Sequence, residues 1–235
     1  MRNNIEKSLI LNRKIVLELR FKPVAKFLDV KGSILDELFE QNIIKGGQWT
    51  IGDSGFKIAD HTEETLVRNL LVMEVNRFAL ISSNIQSVES FISDVFKSYE
   101  IIKTHLGNIT LNRIGCRIQG TYKTKSRKFN QILKKFEEEF PSTIFLKDFP
   151  TTDLRLQIVY QNGTYHVGPI QENDNFLNKE FRHPERNNDP GIAIDTDNYL
   201  LRTDNQEINS KSKIKDVITA SLAVEKSLVE KLKDF

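Results

Sequence analysis

The first strong signal along the chain is alternation. In KIVLELRF, Ile15, Leu17, Leu19 and Phe21 alternate with Lys14, Val16, Glu18 and Arg20, the period-two pattern of a half-buried strand, and Pro23 ends it. The pattern then shifts to three- and four-residue spacings. Phe27, Leu28, Ile34, Leu35, Leu38 and Phe39 predict an amphipathic helix interrupted near Gly32, with the glycines of KGGQ as its cap. Trp49, Ile51, Phe56 and Ile58 predict a hairpin turning at GDSG, and residues 70–82 continue as strand. The clearest helical stripe follows: Val88, Phe91, Ile92, Val95, Phe96 and Tyr99, opened by Ser87 and closed by Gly107.

The second half repeats these signals. ITLNRIGCRIQGTYK alternates Ile114, Cys116, Ile118 and Tyr122 with Arg113, Arg117, Gln119 and Lys123, giving a long strand with a basic face. SRKFNQILKKFEEEF is a helix burying Phe129, Ile132, Leu133 and Phe136, stopped by Pro141. STIFLKDF and DLRLQIVYQNGTYHVGPI read as strands, with Leu154, Leu156, Ile158 and Tyr160 on one face and QNGT as a hairpin turn. Residues 171–190 are polar and proline-punctuated, the longest expected surface loop. GIAIDTDNYLLRT is the last strand, and a closing helix carries Ile214, Val217, Ile218, Leu222, Leu228, Val229 and Leu232.

This order predicts an α+β protein: antiparallel sheet with helices packed on one face, the cheapest way to bury these stripes. The first half has the ferredoxin-like split β-α-β order and is fused to a second α+β half. One continuous body is expected over 1–235, with structural halves 1–124 and 125–235.

Composition narrows the classes. The 235 residues suffice for a sizeable core, and a formal net charge of +2 gives no overall drive toward nucleic acid or acidic membranes. A single cysteine, Cys116, allows no internal disulfide and no cysteine-based zinc site within one chain. No apolar run approaches a membrane span, and MRNNIEKSLILNRK lacks the features of a signal peptide. The expectation is a cytoplasmic protein.

IVLELRFKP, LNRIGCRIQG and IAIDTDNY followed by a long terminal helix resemble, in order and over nearly the whole chain, a prokaryotic family known only as "sporadically distributed". Arg20, Phe21 and Pro23 match its V-E-x-x-x-x-R-F-x-P strand. Arg113, Ile114, Gly115 and Arg117 match its R-I-G-L-R-Y-x-N strand, and Asp195, Asp197 and Tyr199 its x-D-x-D-x-Y strand. The departure is the Y-x-N end, here Ile118-Gln119-Gly120. The family has no assigned function. The resemblance implies a patchily inherited gene, which suits a defence or mobile-element setting.

Two sets of residues could carry chemistry. Asp195 and Asp197, two apart on a strand, share one face and could hold Mg²⁺ or Ca²⁺ or divide acid and base duties. No third ligand is spaced for it, and the competing reading turns Ile192, Ile194 and Thr196 inward and both aspartates to water. The other set is basic: Arg113, Arg117, Lys123, Lys125, Arg127 and Lys128, which could grip phosphates or a partner's carboxylates. Arg113 or Arg117 could equally pair with the aspartates across adjacent strands. His61, His105, His166 and His183 have no partner at metal-ligand spacing. Cys116 sits in an apolar alternation as a small buried hydrophobe, and no nucleophile elbow or phosphate loop occurs. The sequence therefore points to a non-enzymatic binding or regulatory protein, without cofactor, whose partner is another protein met through the polar sheet face or the 171–190 loop. The alternatives are a nucleic-acid binder using 113–128 and a metal-assisted hydrolase using Asp195 and Asp197. Oligomeric state is not legible.

Overall fold

The structure, a computed structural model, describes residues 5–45, 47–61, 67–83, 85, 87–140, 154–177, 181–182, 189–204 and 208–235, with backbone alone at 61 and 67. Among these residues the protein is α+β: a nine-strand antiparallel sheet with four helices. The elements are β1 (Ile10–Phe21), α1 (Phe27–Glu40), β2 (Gln48–Ile51), β3 (Gly55–His61), β4 (Val67–Glu74), β5 (Arg77–Ser83) and α2 (Val88–Leu106). They continue with β6 (Leu111–Tyr122), α3 (Phe129–Glu139), β7 (Leu156–Tyr160), β8 (Gly163–Ile170), β9 (Gly191–Leu201) and α4 (Lys211–Leu232). The strand order is β2-β3-β4-β5-β1-β6-β9-β8-β7, so among the described strands β2 and β7 are the edges. The chain divides into two compact units, each discontinuous in sequence. Unit 1 is Met1–Arg13, Ile118–Asp197 and Ala220–Phe235; unit 2 is Lys14–Arg117 and Asn198–Thr219.

In unit 2 the alternation of β1 is realised: Leu17 and Leu19 are fully buried, and Glu18 and Arg20 lie on the opposite face. β1 pairs with β5 in a register that sets Leu19 against Phe78 and Arg20 against Arg77. α1 runs unbroken through Gly32, contrary to the expected interruption, because that glycine lies in open space and nothing there requires a bend. Its end also differs from expectation. Asn42, ahead of the KGGQ stretch, adopts the left-handed conformation at φ 54° and already ends the helix. The Asn42 amide donates to Phe39 O at 2.9 Å and the Ile43 amide to Leu38 O at 3.1 Å, the bond pair of a Schellman cap, with buried Ile43 packing as such caps favour. α2 begins and ends as expected: Ser87 Oγ accepts from the Ser90 amide at 3.2 Å, and Gly107 closes the helix at φ 81°.

The strand expected over 70–82 is in fact the hairpin β4–β5, with Glu74 opposite Arg77 and only Val75 and Asn76 between. The buried residues change phase across the turn, Leu71 and Met73 before it and Phe78 and Leu80 after. That change of parity is what a two-residue reversal imposes. The GDSG stretch forms the β2–β3 turn, with the Gly52 amide donating to Gly55 O at 2.9 Å.

In unit 1, Ile132 and Phe136 of α3 and Val229 and Leu232 of α4 pack with Tyr122, Val167, Ile192 and Ile194 of the strands. Phe235 reaches the Phe136 ring at 6.0 Å. Each fully buried large side chain here is worth roughly 1.5–3 kcal/mol of transfer free energy. β6 stops at Tyr122, one residue before the expected end, because the Lys123 amide turns to Leu9 O. The β7–β8 connection is Gln161-Asn162, with Tyr160 opposite Gly163. Gln161 takes the positive φ, 50°, so the turn sits one residue earlier than Asn-Gly chemistry predicts. The face that carries Leu154, Leu156, Ile158 and Tyr160 is covered at its start only, since Ile158 and Tyr160 are exposed. Of the 171–190 loop, Leu177 and Phe181 are buried, so this segment is anchored to the protein interior and is not wholly a surface loop. The STIFLKDF strand and residues 178–180 and 183–188 of the loop lie outside the described residues, as does His183.

Candidate functional site

The strand register of unit 2 sets Arg20 and Arg77 opposite each other, a like-charge pairing that costs stability unless an anion intervenes. Glu18 intervenes. Its Oε1 accepts from Arg20 Nε at 2.7 Å and from Arg113 of β6 at 2.8 Å, and its Oε2 lies 3.7 Å from Arg77. Arg77 also donates to Glu74 Oε1 at 2.5 Å. The Arg113 guanidinium stands 5.2 Å from the Tyr199 ring centre of β9. Three guanidinium groups thus share two carboxylates beside a tyrosine, an assembly that needs the planar fork of arginine and that lysine could not reproduce. Glu18 and Arg113 are mostly covered, while the Arg20 side chain is 54% exposed. The exposed pairs contribute about 0.2–1 kcal/mol each. What the cluster does chemically is hold the Arg20 and Arg77 guanidinium groups in fixed orientation at a surface.

The expected basic set therefore divides. Arg113 belongs to the Glu18 cluster and Arg117 is exposed on β6. Lys123, Lys125, Arg127 and Lys128 lie beyond the strand in unit 1, on the segment leading into α3. Lys123 lies 3.9 Å from Asp189, the Lys125 amide donates to Lys233 O, and Arg127 and Lys128 are exposed.

The two aspartates also differ from expectation. Asp197 is half-buried, but Asp195 is buried and does not face water: Gln119 Nε2 donates to its Oδ2 at 3.1 Å. Ile192, Ile194 and Thr196 are buried, as expected. Among the described residues no group of three His, Cys, Asp or Glu side chains is placed to hold a metal ion. Cys116 is buried. His105 Nε2 lies 2.8 Å from Glu37 Oε2, and Glu37 lines an open groove of about 490 Å³ in unit 2 together with Ile92, Phe96 and Ile101.

The most buried charged group described in unit 1 was not anticipated. Glu225 of α4 has 0% exposure, and it accepts from both Arg13 of β1 and the Tyr122 hydroxyl of β6. Burial, and next the Glu225 carboxylate, hold the Tyr122 phenol well above its usual value, with Arg13 pulling the other way. The signal was present. Arg13 shares the parity of Leu11, Ile15 and Leu17, and Glu225 continues the Ile218, Leu222, Val229 stripe. Gly120 makes room for the cluster: a Cβ there would lie 2.2 Å from the Tyr122 hydroxyl oxygen. An asparagine at this position, as in the family pattern, could not coexist with this Tyr122 rotamer.

Comparison with known proteins assigns no relatives: no family model matches the chain, and no curated protein matches it.

Proposed function

We propose that the protein is a non-enzymatic binding or regulatory protein that recognises an acidic surface of another protein. The observation that carries this reading is the Glu18-centred cluster of Arg20, Arg77 and Arg113 with Tyr199 beside it. Arginine and tyrosine are the residue types that dominate protein interfaces. An arginine already oriented by Glu18 loses less entropy on meeting a partner's carboxylate than a free one would. The near-neutral whole-chain charge suits a local contact more than long-range attraction to a polyanion. The reading includes the resemblance to the sporadically distributed family, a prokaryotic cytoplasm, a defence or mobile-element setting, and a ferredoxin-like first half.

Affinity isolation from the native host tests it. The expected result is a stoichiometric protein partner that is lost with Arg20→Glu/Arg77→Glu. Recovery of a lone chain with measurable turnover would refute it. A second reading, nucleic-acid binding, draws on the exposed Lys125, Arg127 and Lys128. It requires salt-dependent affinity for RNA or DNA, and a flat titration at low salt eliminates it.

A further inference from the structure

Among the described residues β7 is an edge strand paired only with β8, and it is built unlike a protected edge. Its five residues, LQIVY, carry no charge and no proline, the usual devices that keep edges from pairing. Ile158, Val159 and Tyr160 are 40%, 71% and 61% exposed. Leu156 packs on the core of unit 1, so on that face the apolar stripe Leu156, Ile158, Tyr160 leaves the interior and continues into solvent.

The hairpin fixes which backbone groups point outward. Tyr160 and Gly163 flank a two-residue connection and therefore exchange both ladder bonds. Leu156, Ile158 and Tyr160 consequently turn their N–H and C=O groups toward β8. Gln157 and Val159 turn theirs toward the open edge.

We propose that β7 pairs with β7 of a second copy of this chain, antiparallel and centred on Ile158. In that register Ile158 meets Ile158, Leu156 meets Tyr160, and Gln157 meets Val159. Both outward-facing residues of each strand then donate to and accept from the other. The sequence is compatible with itself in charge: the only charged side chain in 155–161, Arg155, falls opposite Gln161. The apolar stripes of the two copies run on into each other. The contact is isologous and closes as a dimer. A ladder this short lies below the roughly 1,000 Å² of a stable interface, so the dimer is a concentration-dependent one.

Sedimentation velocity over a dilution series tests this. The expected mass climbs from the 27.2 kDa of one chain toward twice that value. Ile158→Lys sets two lysines face to face at the symmetry axis and abolishes the rise, and Ile158→Glu does the same. An equal mixture of the two variants restores the dimer, which a folding defect could not do. Val159→Pro removes an outward amide without touching the β8 ladder and weakens dimerisation by at least about tenfold. A wild-type chain that stays monomeric at its highest concentration overturns the proposal. So does a dimer indifferent to Ile158→Lys, and so does growth past the dimer, which would mean heterologous pairing between the β2 and β7 edges.

Discussion

Replacing Glu225 with alanine strikes the most fully buried charge in unit 1. The carboxylate has no exposure and accepts hydrogen bonds from Arg13 and from the Tyr122 hydroxyl. Its removal takes the counter-charge from an almost fully buried guanidinium and the acceptor from a buried phenol, and it opens a gap beneath α4. Breaking a buried ion pair costs about 3–5 kcal/mol, and the stranded hydroxyl adds on the order of 1 kcal/mol. Against a total stability of about 5–15 kcal/mol, the loss brings the chain close to unfolding and lowers Tm by roughly 10 °C or more. Urea unfolding followed by far-UV circular dichroism measures it. The pair itself is not the source of the cost. The double change Glu225→Leu/Arg13→Met, which removes both members of the pair, recovers most of the loss, as apolar replacements of buried pairs do. Glu225→Ala within about 1 kcal/mol of wild type, or a double variant as unstable as the single, would refute this reasoning.

Other outcomes follow from the same structure. The phenol of Tyr122 is held well above its usual 10 in the fold, so above that pH the unfolded chain releases a proton that the folded chain keeps. Stability is then full below about pH 10 and falls as pH rises toward the folded value. Tyr122→Phe flattens this alkaline limb, read by urea midpoints against pH. Ser87→Ala removes the acceptor for the Ser90 amide at the start of α2 and costs about 1 kcal/mol in the same assay. Gly120→Asn drives a Cβ into the Tyr122 hydroxyl and costs about 1–3 kcal/mol, a cost that the same substitution does not incur when made in a Tyr122→Ala background.

Much of the fold was legible because one face of most elements is apolar. The β1 alternation, the α2 stripe with Ser87 and Gly107 at its ends, and the GDSG turn all follow from side-chain period and turn chemistry. Failures cluster where the local signal is chemically degenerate. Val75-Asn76 reverses the chain without glycine, so two strands read as one. Asn42 ends α1 in the conformation usually given to glycine. Arg13 and Glu225 occupy core positions of their stripes, where a charged residue interrupts the apolar pattern. The Glu18 cluster was half-visible. Arg20 and Arg113 were singled out by the family resemblance, but Arg77 came from a strand whose register no local pattern gives, and Glu18 was read only as the wet face of β1. β7 alternates as a buried strand should and is nonetheless exposed, because period reports which residues share a face and not whether anything covers it.

The proposed recognition of an acidic protein partner is tested most directly by a photo-crosslinking residue placed at Tyr199 and activated in the native host. The account predicts one protein adduct, retained with Phe39→Ala, remote in sequence and in the cluster's contacts, and lost with Arg20→Glu/Arg77→Glu. An adduct to nucleic acid, or a protein adduct that survives reversal of both arginines, would contradict it.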